Sequence, residues 1–153
     1  MTTRGPIGPT IGKAWTNNAR LYAAAPAAYF MAIGEYLARE TPEFFRWHIG
    51  GDAPSAEYIR QMIALAEAHN HTQFAAYTQR HRALPAPEYI PANLHLRASL
   101  WPNQPRASAG DHARAYVQQP GTALEPDSFE CPGACSTCKH CYTTNTDVTF
   151  RKH

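Results

Sequence analysis

Two short aromatic and apolar runs, Phe44-Phe45-Arg46-Trp47-His48-Ile49 and Thr72-Gln73-Phe74-Ala75-Ala76-Tyr77, bracket a segment of helical periodicity. Between them, Ala56 to His69 places Ile59, Met62, Ile63 and Ala66 at i, i+3, i+4 and i+7, the pattern of a helix with one apolar face. Gly50-Gly51-Asp52-Ala53-Pro54-Ser55 makes a tight loop before that helix. Strand, helix and strand within about 35 residues match a right-handed βαβ unit. A crossover of that length makes the two strands parallel, since antiparallel neighbours need only a short turn. The expected class is α/β, with a partial parallel sheet.

The remaining chain fits around this unit. Residues 1–12 read as an irregular lead-in. From Gly12 to about Arg39 the apolar spacing is helical, with Leu21, Tyr22 and Ala25, then Tyr29, Ile33, Tyr36 and Leu37. Pro26 suits the first turn of a second helix, so two helices are expected. Thr41-Pro42 closes the region, because the residue before proline avoids the α conformation. Pro85, Pro87 and Pro91 mark a stiff connection. Asn93 to Leu100 then sets Leu94, Leu96 and Leu100 against His95, Arg97 and Ser99, the alternation of a third strand. Ala115-Tyr116-Val117 is a short fourth. The expectation is three to four strands in a single α/β domain over 13–153, with no linker.

Composition excludes several classes. Lys and Arg total 14 against 12 Asp and Glu, a net charge of +2, which suits neither a phosphate-coating protein nor an acidic solvating one. Ile, Leu, Val and Phe make only 23 of 153 residues, so the core is thin and a bound metal would add stability that matters. No stretch approaches the ~20 apolar residues that cross a bilayer, and the first residues lack a signal-peptide pattern. A cytoplasmic location, the host cell cytosol, is the expectation, with no membrane partner. Thiols stay reduced there, so clustered cysteines point to metal ligation rather than disulfides.

The cluster is compact. Cys131-Pro-Gly-Ala-Cys135-Ser-Thr-Cys138-Lys-His-Cys141 has the spacing C-x3-C-x2-C-x2-C. Structural zinc sites usually draw two ligand pairs from separated hairpins. Compact C-x2-C-x2-C runs are characteristic of iron–sulfur ligation, where one loop wraps a centre wider than a single ion. A [4Fe–4S] cluster is the favoured reading, and zinc, with His140 available to replace a thiolate, is the alternative. The loop follows directly on Phe129 and is expected at the carboxyl edge of the strands, where parallel α/β sheets collect ligands. Gly50, Gly51, Asp52, Thr78, Gln79 and Ser99 are expected at the same edge.

Cys131, Cys135 and Cys138 alone give C-x3-C-x2-C, the spacing of radical S-adenosylmethionine (SAM) enzymes. Gly50-Gly51-Asp52-Ala53-Pro54 looks like the Gly-Gly-Glu-Pro segment with which those enzymes hold the SAM amino group, with Asp in place of Glu. Arg46-x-His48-x-x-Gly51-Asp52, a helix, Phe74-Ala75-Ala76-Tyr77-Thr78 and a terminal cysteine run together resemble a bacteriophage-encoded family of cysteine-motif proteins. That family is of unassigned function and distantly similar to radical SAM enzymes. The resemblance implies a radical-SAM-like partial barrel and a functional face lined by Arg46, His48, Asp52, Tyr77 and Thr78. It also implies SAM beside the cluster, held by Gly50, Gly51, Asp52 and Thr78, and radical or redox chemistry on a small-molecule substrate. The motif order is reversed relative to radical SAM enzymes, and Cys141 is a fourth thiol.

Single residues carry two readings each. His48 either anchors the loop that follows it or transfers protons, since imidazole titrates near neutrality. Asp52 either caps the next helix or serves the site. The Gly50-Gly51 pair permits a tight turn or close backbone approach to an anion. Arg80-His81-Arg82, and Lys139-His140 with Arg151-Lys152-His153, are solvated surface or a nucleic-acid contact. In the zinc reading the protein is a non-catalytic module that binds a host protein or nucleic acid.

Overall fold

The computed structural model describes residues 9–102 and 104–151. The chain divides into two compact units, one ending at Thr41 and one beginning at Pro42. The first is a helical pair, α1 (Pro9–Ala24) and α2 (Pro26–Glu40). Pro26 stands in the first turn of α2, as its fixed φ favours. Thr41 ends α2 in the left-handed region, φ 40°, and returns its N–H to the Leu37 carbonyl. Tyr22, Tyr29 and Phe30 pack edge to face with ring centres 5.4–6.1 Å apart. The expected irregular lead-in is shorter than 1–12: residues 9–12 are helical, and residues 1–8 lie outside the described residues.

The second unit is built on a six-stranded, wholly parallel sheet. Its elements are β1 (Phe44–Arg46), α3 (Ala56–Ala68), β2 (Gln73–Thr78), β3 (Leu94–Leu100), β4 (Arg114–Gln118), β5 (Phe129–Glu130), α4 (Cys135–Cys138), α5 (His140–Thr143) and β6 (Val148–Arg151). The strand order is β1-β2-β3-β4-β6-β5, so the first four strands add in one direction, and the sheet curls into a half-barrel. This is the expected α/β class, with six strands in place of the three to four that the sequence suggested.

The βαβ unit is present, with β1 parallel to β2 across α3. The first strand is shorter than 44–49, because His48 adopts φ 49° and turns the chain away. Ser55, not Asp52, caps α3: its hydroxyl accepts the Tyr58 N–H at 3.2 Å. Tyr58, Ile59, Met62 and Ala66 are the buried stripe of that helix. From β2 to β3 the proline-rich connection forms short 3-10 turns in place of a crossover helix.

Register divides the sheet into two faces. Phe45, Phe74, Leu94, Leu96, Ala98, Leu100 and Tyr116 share one, and all but Phe45 are buried. Arg46, Ala75, Tyr77, His95, Arg97, Ser99, Ala115, Val117 and Phe150 share the other. The alternation of β3 suggests a wet second face. His95 and Arg97 are nevertheless buried, because the segment from Cys131 to Asp147 folds back and α5 packs on β2 and β3. Asp147 ties the end of that segment to β4, accepting the Arg114 N–H at 2.8 Å and the Tyr116 hydroxyl at 3.2 Å.

Candidate functional site

Cys131 follows the last residue of β5 and so starts from the carboxyl edge of the sheet; its N–H bonds the Thr149 carbonyl at 2.9 Å. Gly133 takes φ 75°, and the chain enters α4, which carries Cys135 and Cys138. Lys139, at φ 54°, separates α4 from α5, which carries Cys141. The segment is fastened to β1. The Tyr142 ring meets Phe44 at 5.2 Å, and the Lys139 ammonium lies 4.2 Å from the Phe44 ring centre and 3.8 Å from Glu43.

Two guanidinium groups reach it from the sheet. Arg46, the last residue of β1, places Nη1 4.0 Å from Cys135 Sγ and lies over the Tyr77 ring at 5.1 Å. Arg97 is 0% exposed; it donates Nη1 to the Cys141 carbonyl at 3.0 Å, Nε to the Thr146 carbonyl at 3.1 Å and Nη2 to the Thr144 carbonyl. Among the described residues neither arginine has a carboxylate at salt-bridge distance. Burial, and then the charge and hydrogen bond of Cys141, hold the Tyr77 hydroxyl well above its ordinary range. Burial also pushes the Cys131 thiol up, and Cys141, Cys135 and Cys138 add to that, so the four sulfurs share one electrostatic neighbourhood. Among the described residues no three His, Cys, Asp or Glu side chains converge on one metal-ion position.

Beside the cysteine segment, the strand ends border an open cavity of about 530 Å³. Arg46, His48, Asp52, Tyr77 and Thr78 all line it, and so do Gly50, Gly51, Gln79 and Ser99. Arg46 and Tyr77 thus belong to the cavity and to the surroundings of the cysteines at once. The His48 Nε2 and the Tyr58 hydroxyl share a hydrogen bond at 3.0 Å, and Nδ1 is buried with no partner. Burial lowers the His48 pKa, partly offset by Asp52, so the ring is held neutral. Asp52 bridges two loops: Oδ1 accepts the Ala53 N–H at 2.7 Å and Oδ2 the Gln79 N–H at 2.8 Å. Thr78 is buried, its hydroxyl accepting the Arg80 N–H. Arg97, which anchors the cysteine segment, and Trp101, at the cavity rim, were not legible as site residues.

Two histidines of the basic clusters are engaged within the fold. His81 bonds the Ser99 carbonyl and the Ser108 hydroxyl. His140 stacks on Phe129 at 3.8 Å and bonds Thr146, so its ring is already engaged by the fold. Lys152, His153 and the side chain of Arg151 lie outside the described residues. Among the described residues no helix is long and apolar enough to cross a membrane.

A parallel half-barrel with a cavity at the carboxyl ends of its strands defines the class, an α/β protein. The chain belongs to the family described as gene product 88, whose sequence model matches residues 9–114, and which fits a phage-type protein of unassigned function. The match covers the helical pair and the first three strands and stops before the cysteines. No curated protein and no solved structure matches the chain.

Proposed function

We propose that Cys131, Cys135, Cys138 and Cys141 hold a [4Fe–4S] cluster, and that the protein is a small phage-type iron–sulfur protein acting in redox chemistry at the neighbouring cavity. One observation carries the reading: two arginines, Arg46 and Arg97, with no carboxylate at salt-bridge distance among the described residues, converge on the cysteine segment. Backbone carbonyls satisfy the hydrogen bonds of a buried guanidinium but not its charge. A metal–thiolate centre is anionic and supplies that balance, while the metal relieves the mutual repulsion of the thiolates. The donor set fits, being four soft sulfurs in one short segment, and the spacing favours a cluster over zinc. Closing the segment on the metal would couple binding to local ordering.

When bound, such a cluster supplies one-electron transfer. The chain's own residues do the rest. Arg46 screens the thiolates from one side, and Tyr77 shields Cys141 from the cavity. His48, kept neutral, lines the cavity and is the proton-transfer group of this reading. Asp52 holds the Gly50-Gly51 turn in place, which makes it a positioning residue. The turn and Thr78 are where SAM would be held in a radical-SAM-like reading, since they line the cavity next to Arg46.

The test is anaerobic purification of the protein and of Cys135→Ser. The reading expects a brown protein with sulfide-to-iron charge-transfer absorbance, lost or strongly reduced in the variant. A colourless protein with one equivalent of zinc would reject it.

A further inference from the structure

We infer that the cavity at the strand ends binds a small molecule carrying one anionic group, carboxylate or phosphate, on a flat aromatic body. This goes beyond the cluster reading and rests on the cavity itself. Arg46 lines one wall and has no carboxylate at salt-bridge distance among the described residues; its Nη1 faces Cys135 at 4.0 Å, and its positive charge is shared between the cysteine segment and the cavity. The acid in the lining, Asp52, has both oxygens engaged by backbone N–H groups and holds two loops together. It cannot turn to Arg46 without releasing them. A guanidinium gives charge-assisted hydrogen bonds to a carboxylate or phosphate oxygen.

One further wall is apolar. Ala115, Val117 and Phe150 face the cavity from β4 and β6. At its rim stand Ile49 and Trp101, 76% and 47% exposed. Large apolar side chains left in solvent around a concavity mark a surface that a ligand covers. An indole offers a flat area for an aromatic ring. Gly51, at φ 86°, has no atom within 4 Å of where a Cβ would stand, so a ligand can approach the turn closely.

Adenosine 5′-monophosphate and 1-naphthoate represent the two sources of this chemistry, with adenosine and 1-naphthalenemethanol as their neutral counterparts. Calorimetric titration into the anaerobically purified full chain should show at least one anionic probe binding one per chain. Its neutral counterpart should bind roughly tenfold more weakly or worse. Arg46→Gln should abolish that preference, and Trp101→Ala should weaken both members of the pair. Nucleotide binding identifies a phosphate ligand, and naphthoate binding alone an aryl acid. The inference is overturned if neither anionic probe binds, or if a folded Arg46→Gln keeps the preference. Should Arg46→Gln fail to fold, unchanged affinity in the rim variant Trp101→Ala overturns it. Iron content is read on the same preparations. Iron without probe binding defeats this inference alone, and probe binding without iron defeats the cluster reading alone.

Discussion

Asp52 shows how little of a residue's task is written beside it. Its sequence context suggests a helix cap, but Ser55 takes that place, and Asp52 reaches Gln79 across the ends of β1 and β2. Removing two charge-assisted bonds with Asp52→Ala should destabilise the protein by about 2 kcal/mol. Ser55→Ala should cost about 1 kcal/mol, the usual loss for a helix cap. Denaturant unfolding of both variants separates the roles; a larger loss for Ser55→Ala would reverse them. His48 was visible as a residue of interest because a titratable ring near the end of an apolar run is unusual. Its partner Tyr58, on α3, carries no such signal in the sequence.

At the scale of elements, periodicity found what is long enough to have a period. The two N-terminal helices, α3, β2 and β3 were legible, because Pro26, the apolar stripe and strict alternation each have a direct physical cause. β5, with two residues, and β6, with four, carry no such signal and are defined by pairing across the sheet. Alternation in β3 also misled, since it marks one face as polar but cannot say that a later segment covers it. Arg97 makes that cover: three of its donors hold carbonyls between Cys141 and Thr146. Arg97→Met should therefore release the segment, with faster amide exchange over residues 141–146 while β2 keeps its protection. Each bond to a buried charge is worth about 1.5–3 kcal/mol, so the total loss should reach several kcal/mol less the cost of burying the charge. Unchanged exchange in the segment would show that other contacts hold it.

For the molecule as a whole, buried imidazoles set the acid limit. Burial lowers the pKa of His48, His95 and His112 below the ordinary 6.5. Above that value folded and unfolded chains bind the same protons at these sites. As pH falls below it, the unfolded chain takes up protons that the folded rings refuse, so stability declines with acidity. The urea midpoint should accordingly be lower at about pH 5.5 than at about pH 7.5; an equal or higher midpoint in acid would contradict this. The half-barrel and the cavity follow from the first 114 residues and the strands after them, whereas the metal reading depends on eleven residues beyond the family match. The most direct measurement is the iron, sulfide and zinc content of anaerobically purified protein. The account predicts about four iron and four sulfide per chain and little zinc; zinc alone, or no metal, would contradict it.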